Sequence, residues 1–332
     1  MDLTTRWLGL ALDNPLVPSA SPLSRSLDAA KQLEDAGAAA LVMHSLFEET
    51  VRAEEAAIER APDQPAHAGA ETEGLPPGHQ DFPGELDRYL EQVAALKASL
   101  GIPVVASLNG VTLSGWMTHA RELADAGADA LELNAYYVAG DVWEGGSEVE
   151  QRYLELLQTL RETVSVPINM KLSPWFSSVG HMVMALESAG AAGVTLFNRF
   201  YQPDINVDTL CLQHSLHPSG SHDALLAMRW TAMLHGRVEC SLAATGGIHE
   251  VEDALKLLLA GADVVHLCTA LLQRGPAHLG TILAGIRQWM EEHGFESLDD
   301  FRGRLSQINV QDPAEFERLN YIRVLDGYSF RP

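Results

Sequence analysis

The chain has 332 residues, 46% of them apolar and 20% charged, and its 22 Lys and Arg against 45 Asp and Glu give a formal net charge of −23. That length fits one large domain or two smaller ones, with an ample core, which excludes disordered and disulfide-scaffold readings. So acidic a surface repels phosphate backbones and anionic lipid, which argues against nucleic-acid and membrane partners, and no apolar run reaches the roughly 18 residues of a membrane span.

The opening segment, MDLTTRWLGLALDNP, lacks the basic start and long apolar stretch of a signal peptide. The cysteines Cys211, Cys240 and Cys268 show no CxxC spacing. A reducing, cytoplasmic setting is the expectation.

In chain order, the first strand is expected at NPLVPSA (14–20) and the second at LVMHS (41–45). A helix over roughly 85–99 leads to a third strand, IPVVASL (102–108), and a fourth follows at ALELN (130–134). The helix around 149–163 leads to VPINMKL (166–172), and GVTLFN (193–198) is the sixth strand. The helix around 222–235 leads to CSLAATGG (240–247), and DVVHL (263–267) is the eighth. Before four of these strands the same joint recurs: Asp35-Ala-Gly37-Ala, Asp125-Ala-Gly127-Ala, Ser188-Ala-Gly190-Ala and Leu259-Ala-Gly261-Ala. A glycine there can take the left-handed conformation that ends a helix.

The strand runs are nearly all apolar rather than alternating, as in parallel strands covered on both faces. After the seventh, Val251, Ala254, Leu255, Leu258 and Leu259 trace a helical stripe. Eight alternating units predict a (β/α)8 TIM barrel, a single α/β domain over 1–332 with a C-terminal helical tail over 279–332. A doubly wound sheet is the rival, but its GxGxxG fingerprint is absent. Two long loops break the rhythm. One follows the second strand, within an acidic stretch over 45–100 whose Pro- and Gly-rich part runs from Ala61 to Gly84; the other, Asn198 to Ser221, follows the sixth. Both should lie on the C-terminal face, where barrel active sites sit.

The strand ends supply His44, Ser45, Asn109, Asn134, Lys171, Asn198 and Arg199. One polar strand end proves nothing, because strand ends meet water; this many points to a shared polar site. Gly246 and Gly247 precede the helix that starts near Glu250, and Cys268 and Thr269 follow the eighth strand, an arrangement suited to a phosphate. Lys171 fits a Schiff-base nucleophile, a fixed cation beside an anion, or a structural ion pair. His214 and His217 are the nearest approach to a metal pair but have no third ligand in view, so no metal is expected. His266, inside an apolar strand, reads as a satisfied core histidine.

The ordered set NPLVPSAS, LNG (108–110), ELN (132–134), MKLSP (170–174), the Asn that ends the sixth strand and ATGGI…GADVVHLCTALL (244–272) resembles the dihydroorotate dehydrogenase family. The resemblance runs from about residue 3 to 303 and implies FMN as cofactor in a (β/α)8 barrel, of the soluble rather than the quinone-linked class. It implies that Ser19, Ala20 and Ser21 lie along the flavin ring and that Lys171 holds its N1–O2 edge. It also implies that Asn109 contacts flavin, that Asn134 and Asn198 meet flavin and substrate, and that Gly246, Gly247, Cys268 and Thr269 cradle the phosphate. Departures fall on the substrate side. Family members read NxSCPN or NxSxPN after the fourth strand, with Cys or Ser as base; this chain has Asn134-Ala-Tyr-Tyr137-Val-Ala139. His44 replaces a lysine, and Arg199 replaces a serine.

The resemblance therefore implies hydride transfer from a CH–CH bond beside a carbonyl of a small carboxylate, dihydroorotate included, and so a place in pyrimidine biosynthesis. Tyr137, His44 and Ser173 are the base candidates. Arg199 is the expected carboxylate anchor, because its fork suits two parallel hydrogen bonds. Two alternatives stay open: an FMN-free lyase or isomerase using Lys171 on a phosphorylated substrate, and a non-catalytic flavin-binding electron carrier. tRNA dihydrouridine synthases also use FMN barrels, but the charge argues against RNA. A homodimer is one assembly open to the chain.

Overall fold

A computed structural model describes residues 1–60, 84–110 and 113–327. Its centre is an eight-stranded parallel sheet: β1 (Leu16–Pro18), β2 (Leu41–Phe47), β3 (Val104–Asn109), β4 (Ala130–Asn134), β5 (Ile168–Leu172), β6 (Gly193–Leu196), β7 (Ser241–Thr245) and β8 (Val264–Leu267). The strands pair in the order β1-β8-β7-β6-β5-β4-β3-β2. An Ala39 N–H to Leu16 carbonyl bond of 3.0 Å joins the two ends. This is the expected TIM barrel, and every expected strand lies where its apolar run placed it.

The four repeated joints form as their chemistry requires. Gly37, Gly127, Gly190 and Gly261 all have positive φ, between 95° and 115°. The alanine after each donates its N–H to the carbonyl five residues back (Ala38 to Leu33, Ala128 to Leu123, Ala191 to Leu186, Ala262 to Leu257). These bonds close Schellman motifs and drop the chain directly into β2, β4, β6 and β8.

An N-terminal hairpin that the periodicity did not signal seals the bottom of the barrel. Its strands, Thr5–Trp7 and Leu10–Leu12, turn through Leu8 and Gly9, both at positive φ, as a two-residue type I′ turn demands. Leu8 N–H donates to Ser241 Oγ at 2.9 Å. Trp7 and Leu8 pack against Val17, Val42, Val105, Ala130, Ala243 and Val264 within the strands.

Helix Glu48–Arg60 fills the start of the excursion after β2. Most of the expected Pro- and Gly-rich loop, 61–83, lies outside the described residues. The loop after β6 holds a small hairpin, Asp204–Asn206 paired with Cys211–Gln213. In the tail, helix His278–His293 and the buried Leu298 and Phe301 pack on the barrel, and a short helix follows at Arg318–Asp326. Among the described residues, no helix is long and apolar enough to cross a membrane.

Candidate active site

Above the apolar plug the barrel interior turns polar. Ser107, Glu132, Asn169, Thr195 and His266 are fully buried there. Asn169 Nδ2 donates to Thr195 Oγ1 at 2.7 Å and to Glu132 Oε2 at 3.2 Å. Lys171 Nζ stands 3.4 Å from Glu132 Oε1 and 3.5 Å from Ser19 Oγ, with 8% of its side chain exposed. Glu132 escaped the sequence reading, although the inward face of ALELN carries Ala130, Glu132 and Asn134, and an acid inside a buried strand is an available signal.

Over this layer opens a cavity of about 700 Å³ at the C-terminal ends of the strands, a volume ordinary for a cofactor-and-substrate site. The structure brings into its lining Ser19, Ala20, Ser21, His44, Asn109, Asn134, Lys171, Asn198, Arg199, Gly246, Gly247, Cys268 and Thr269. Residues from the first strand to the eighth thus meet in one place. Asn198 Nδ2 donates to Asn134 Oδ1 at 2.5 Å, which fixes both amides: Asn134 keeps its NH₂ and Asn198 its oxygen for a ligand. Ser219 Oγ donates to Thr269 Oγ1 at 2.9 Å, tying the loop after β6 to the end of β8.

Several expectations need correction. At the N-terminus of the helix following Gly246-Gly247, Asp253 Oδ2 accepts the His249 and Glu250 N–H groups at 3.0 Å each, and the Ser221 hydroxyl at 2.7 Å, so a carboxylate already stands beside the cap. Tyr137 is absent from the cavity lining; Tyr136 stands there instead. The Tyr137 hydroxyl donates to Glu144 at 2.5 Å, and the Arg152 guanidinium lies 4.9 Å from its ring centre. The bond to Glu144 holds the phenol above its ordinary pKa, opposite to what a base requires. Tyr136 stacks on Phe200 with centroids 4.2 Å apart, and its oxygen accepts the Tyr201 N–H at 3.0 Å.

The Arg199 fork is partly engaged: Nη1 is 3.3 Å from Asp223 Oδ2, and Nη2 donates to the His217 carbonyl at 2.6 Å. A ligand carboxylate would have to use its remaining N–H groups. Ser173 Oγ accepts the Trp175 N–H at 2.9 Å and lies outside the lining. His266 is a core residue as expected, but it is not satisfied. Neither ring nitrogen has a hydrogen-bond partner, its ring meets Trp7 edge-on at 5.0 Å, and burial pushes its pKa down to about 3.

His44 lines the cavity half-buried, and burial, aided by Arg25 and opposed by Glu85, pushes its pKa down to about 4. Arg25, also in the lining, went unnoticed in the sequence because it follows the first strand at a distance. Among the described residues, no group of three or more His, Cys, Asp or Glu is gathered as for a metal.

An eight-stranded barrel with a polar cavity at its C-terminal mouth defines the architecture of a barrel enzyme. The dihydroorotate dehydrogenase family model matches residues 2–290, and the chain belongs to that family of oxidoreductases. It is 32% identical to the putative dihydroorotate dehydrogenase A (fumarate) of Aeropyrum pernix over 61% of this chain and 67% of that protein. It is 26% identical to the catalytic subunit of dihydroorotate dehydrogenase B (NAD(+)) of Pyrococcus furiosus, over 93% of this chain and all of that protein. The corresponding subunit of Thermoplasma acidophilum is also 26% identical, over 91% and 98%. Membership sets aside the lyase, isomerase and non-catalytic readings.

Proposed function

We propose that the chain is an FMN-dependent oxidoreductase that takes hydride from a CH–CH bond beside a carbonyl of a small carboxylate, with dihydroorotate the first substrate to test. The observation that carries this reading is the convergence of Ser19–Ser21, Asn109, Asn134, Lys171, Asn198, Gly246, Gly247 and Thr269 on one cavity.

The residues present fit FMN. A Cβ built on Gly246 meets nothing within 4 Å, so this turn leaves open space where a phosphate can approach backbone N–H groups. Lys171 provides a fixed cation, and the carboxylate of Glu132 beside it suits that role rather than a neutral Schiff-base amine. When bound, FMN supplies the two-electron acceptor.

The chain's own residues do the rest. Lys171 offers positive charge to an electron-rich ring edge. Asn134 donates to a substrate carbonyl or carboxylate, while the Asn198 oxygen accepts from a substrate N–H. The remaining Arg199 N–H groups hold the carboxylate. His44, neutral at pH 7, accepts the proton that leaves with the hydride. A cytoplasmic setting fits this chemistry.

The test is anaerobic stopped-flow mixing with dihydroorotate, following flavin absorbance. Bleaching is expected, slowed at least 10²-fold in His44→Gln, the usual worth of a general base. Protein that stays colourless after FMN addition and desalting overturns the cofactor. A coloured protein that dihydroorotate does not bleach removes that substrate only.

We also propose a homodimer. Val142, Trp143, Trp175, Val207, Leu210 and Leu216 are each at least 70% exposed, on the loops after β4, β5 and β6. Apolar residues so concentrated on one rim support an interface there. A monomer in sedimentation at micromolar concentration refutes it.

A further inference from the structure

His44 is held with more care than a surface histidine needs. The register of β2 with β3 shifts between Val42 and Ser45, so that Met43 and His44 stand opposite the single residue Ala106. Such a bulge frees backbone groups from the ladder and re-aims a side chain, and bulges cluster beside active sites. The freed groups of His44 are taken by side chains from elsewhere. Its N–H donates to Ser24 Oγ at 2.6 Å, and its carbonyl accepts the Tyr89 hydroxyl at 2.8 Å. The Tyr89 ring tilts against the imidazole at 4.9 Å. Gln92, one turn further along the same helix, donates to the Ser24 carbonyl at 3.0 Å.

Ser24 also reaches the ring. Its Oγ lies 3.1 Å from His44 Nδ1 and 3.1 Å from the Ser21 carbonyl, and the residue is 1% exposed. A hydroxyl has one proton and two lone pairs, whereas a carbonyl only accepts. All three contacts coexist in one arrangement alone: the Ser24 proton goes to Ser21, and its lone pairs receive the His44 N–H and an Nδ1–H. Nε2 then carries the ring's lone pair, and among the described residues no hydrogen bond to it is made.

We propose that Ser24 is a positioning residue that fixes His44 as the Nδ1–H tautomer, making Nε2 the nitrogen that accepts the substrate's proton. The proposal rests on the reading of His44 as base. When Nε2 takes the proton, the ring becomes an imidazolium whose Nδ1–H still donates to Ser24, so no hydroxyl proton has to move. Arg25, Glu85 and Tyr89 are the charged and titratable groups facing the ring, and none of them occupies Nε2.

The test is ¹⁵N NMR of the full chain with FMN bound and only its histidines labelled, at neutral pH, with His44 assigned by its loss in His44→Gln. The expected wild-type spectrum has an amine-type Nδ1 and an imine-type Nε2. Ser24→Ala should lose this single-tautomer pattern, and Ser24→Thr, which keeps the hydroxyl, should restore it. A wild-type Nε2–H tautomer, or an unchanged pattern in Ser24→Ala, overturns the proposal. If Ser24→Thr fails to fold, the wild-type spectrum still decides. Failure of the base reading is seen separately, as undiminished flavin reduction in His44→Gln alongside the expected tautomer. A chain without visible flavin absorbance would mark failure of the cofactor reading.

Discussion

Replacing Glu132 by Gln removes one charge from the barrel interior with almost no change in shape. The Glu132 side chain is fully buried, and that of Lys171, 3.4 Å away, is 8% exposed, so the ammonium would lose its counter-charge without gaining water. At an effective dielectric of about 20, Coulomb's law gives about 5 kcal/mol for this separation. Breaking a buried pair by removing one partner costs about 3–5 kcal/mol, because an uncompensated charge is left behind. Against a total stability of about 5–15 kcal/mol this is large, and for a chain of this length the melting temperature should fall by about 4–7 °C. Glu132 accepts from Asn169 Nδ2 and Lys171 Nζ on its two separate oxygens, and the amide of the variant has one, so the loss combines the charge with one hydrogen bond. Adding Lys171→Met to Glu132→Gln removes the stranded charge and should recover about half of the loss. The assay is a double-mutant cycle by urea unfolding of the FMN-free chain. If Glu132→Gln unfolds at the wild-type midpoint, or the two substitutions simply add, the buried pair does not stabilise this barrel as argued.

Three further outcomes are expected. Trp7→Ala should cost about 3–5 kcal/mol by urea unfolding, because a fully buried indole leaves a cavity at the plug; a loss below 1 kcal/mol would make the hairpin dispensable. Gly247→Ala should destabilise the chain more than Gly246→Ala, since a Cβ on Gly247 falls 2.5 Å from the Ala224 nitrogen whereas one on Gly246 meets nothing, although both have positive φ. Equal melting temperatures for the two variants would contradict this. His266 and His44 have folded pKa values pushed down to about 3 and about 4, below the unfolded value of about 6.5, so the unfolded chain binds more protons in acid. The stability they contribute is complete above about pH 6.5 and is lost as pH falls, by at most about 1.4 kcal/mol per pH unit for the fully buried His266. The difference in urea midpoint between pH 7 and pH 5 should therefore shrink in His266→Gln, and an unchanged difference would refute the assignment.

Local chemistry was enough to read the barrel. The repeated Ala-Gly-Ala joints favour Schellman caps, and the short apolar runs that follow them fit strands covered on both faces. Eight such units leave few other architectures. Strand-end polarity likewise identified seven residues of the cavity lining, His44, Ser45, Asn109, Asn134, Lys171, Asn198 and Arg199, because a residue ending a parallel barrel strand reaches the mouth irrespective of loop detail. What the sequence could not decide depends on contacts between distant segments. Whether Tyr136 or Tyr137 turned inward was settled by Glu144 and Arg152, which hold Tyr137 outside. The freedom of the Arg199 fork was limited by Asp223 and the returning loop. The hairpin plug was hidden because each strand is three residues long, too short for a period to register. The setting of His44 required β2 to bulge and brought Ser24, Tyr89 and Gln92 from up to 68 positions apart, a separation no local pattern encodes. Backbone propensity and hydrophobic periodicity act over a few residues and so are written along the chain, whereas the proton positions and charge partners of the site exist only once the barrel has closed.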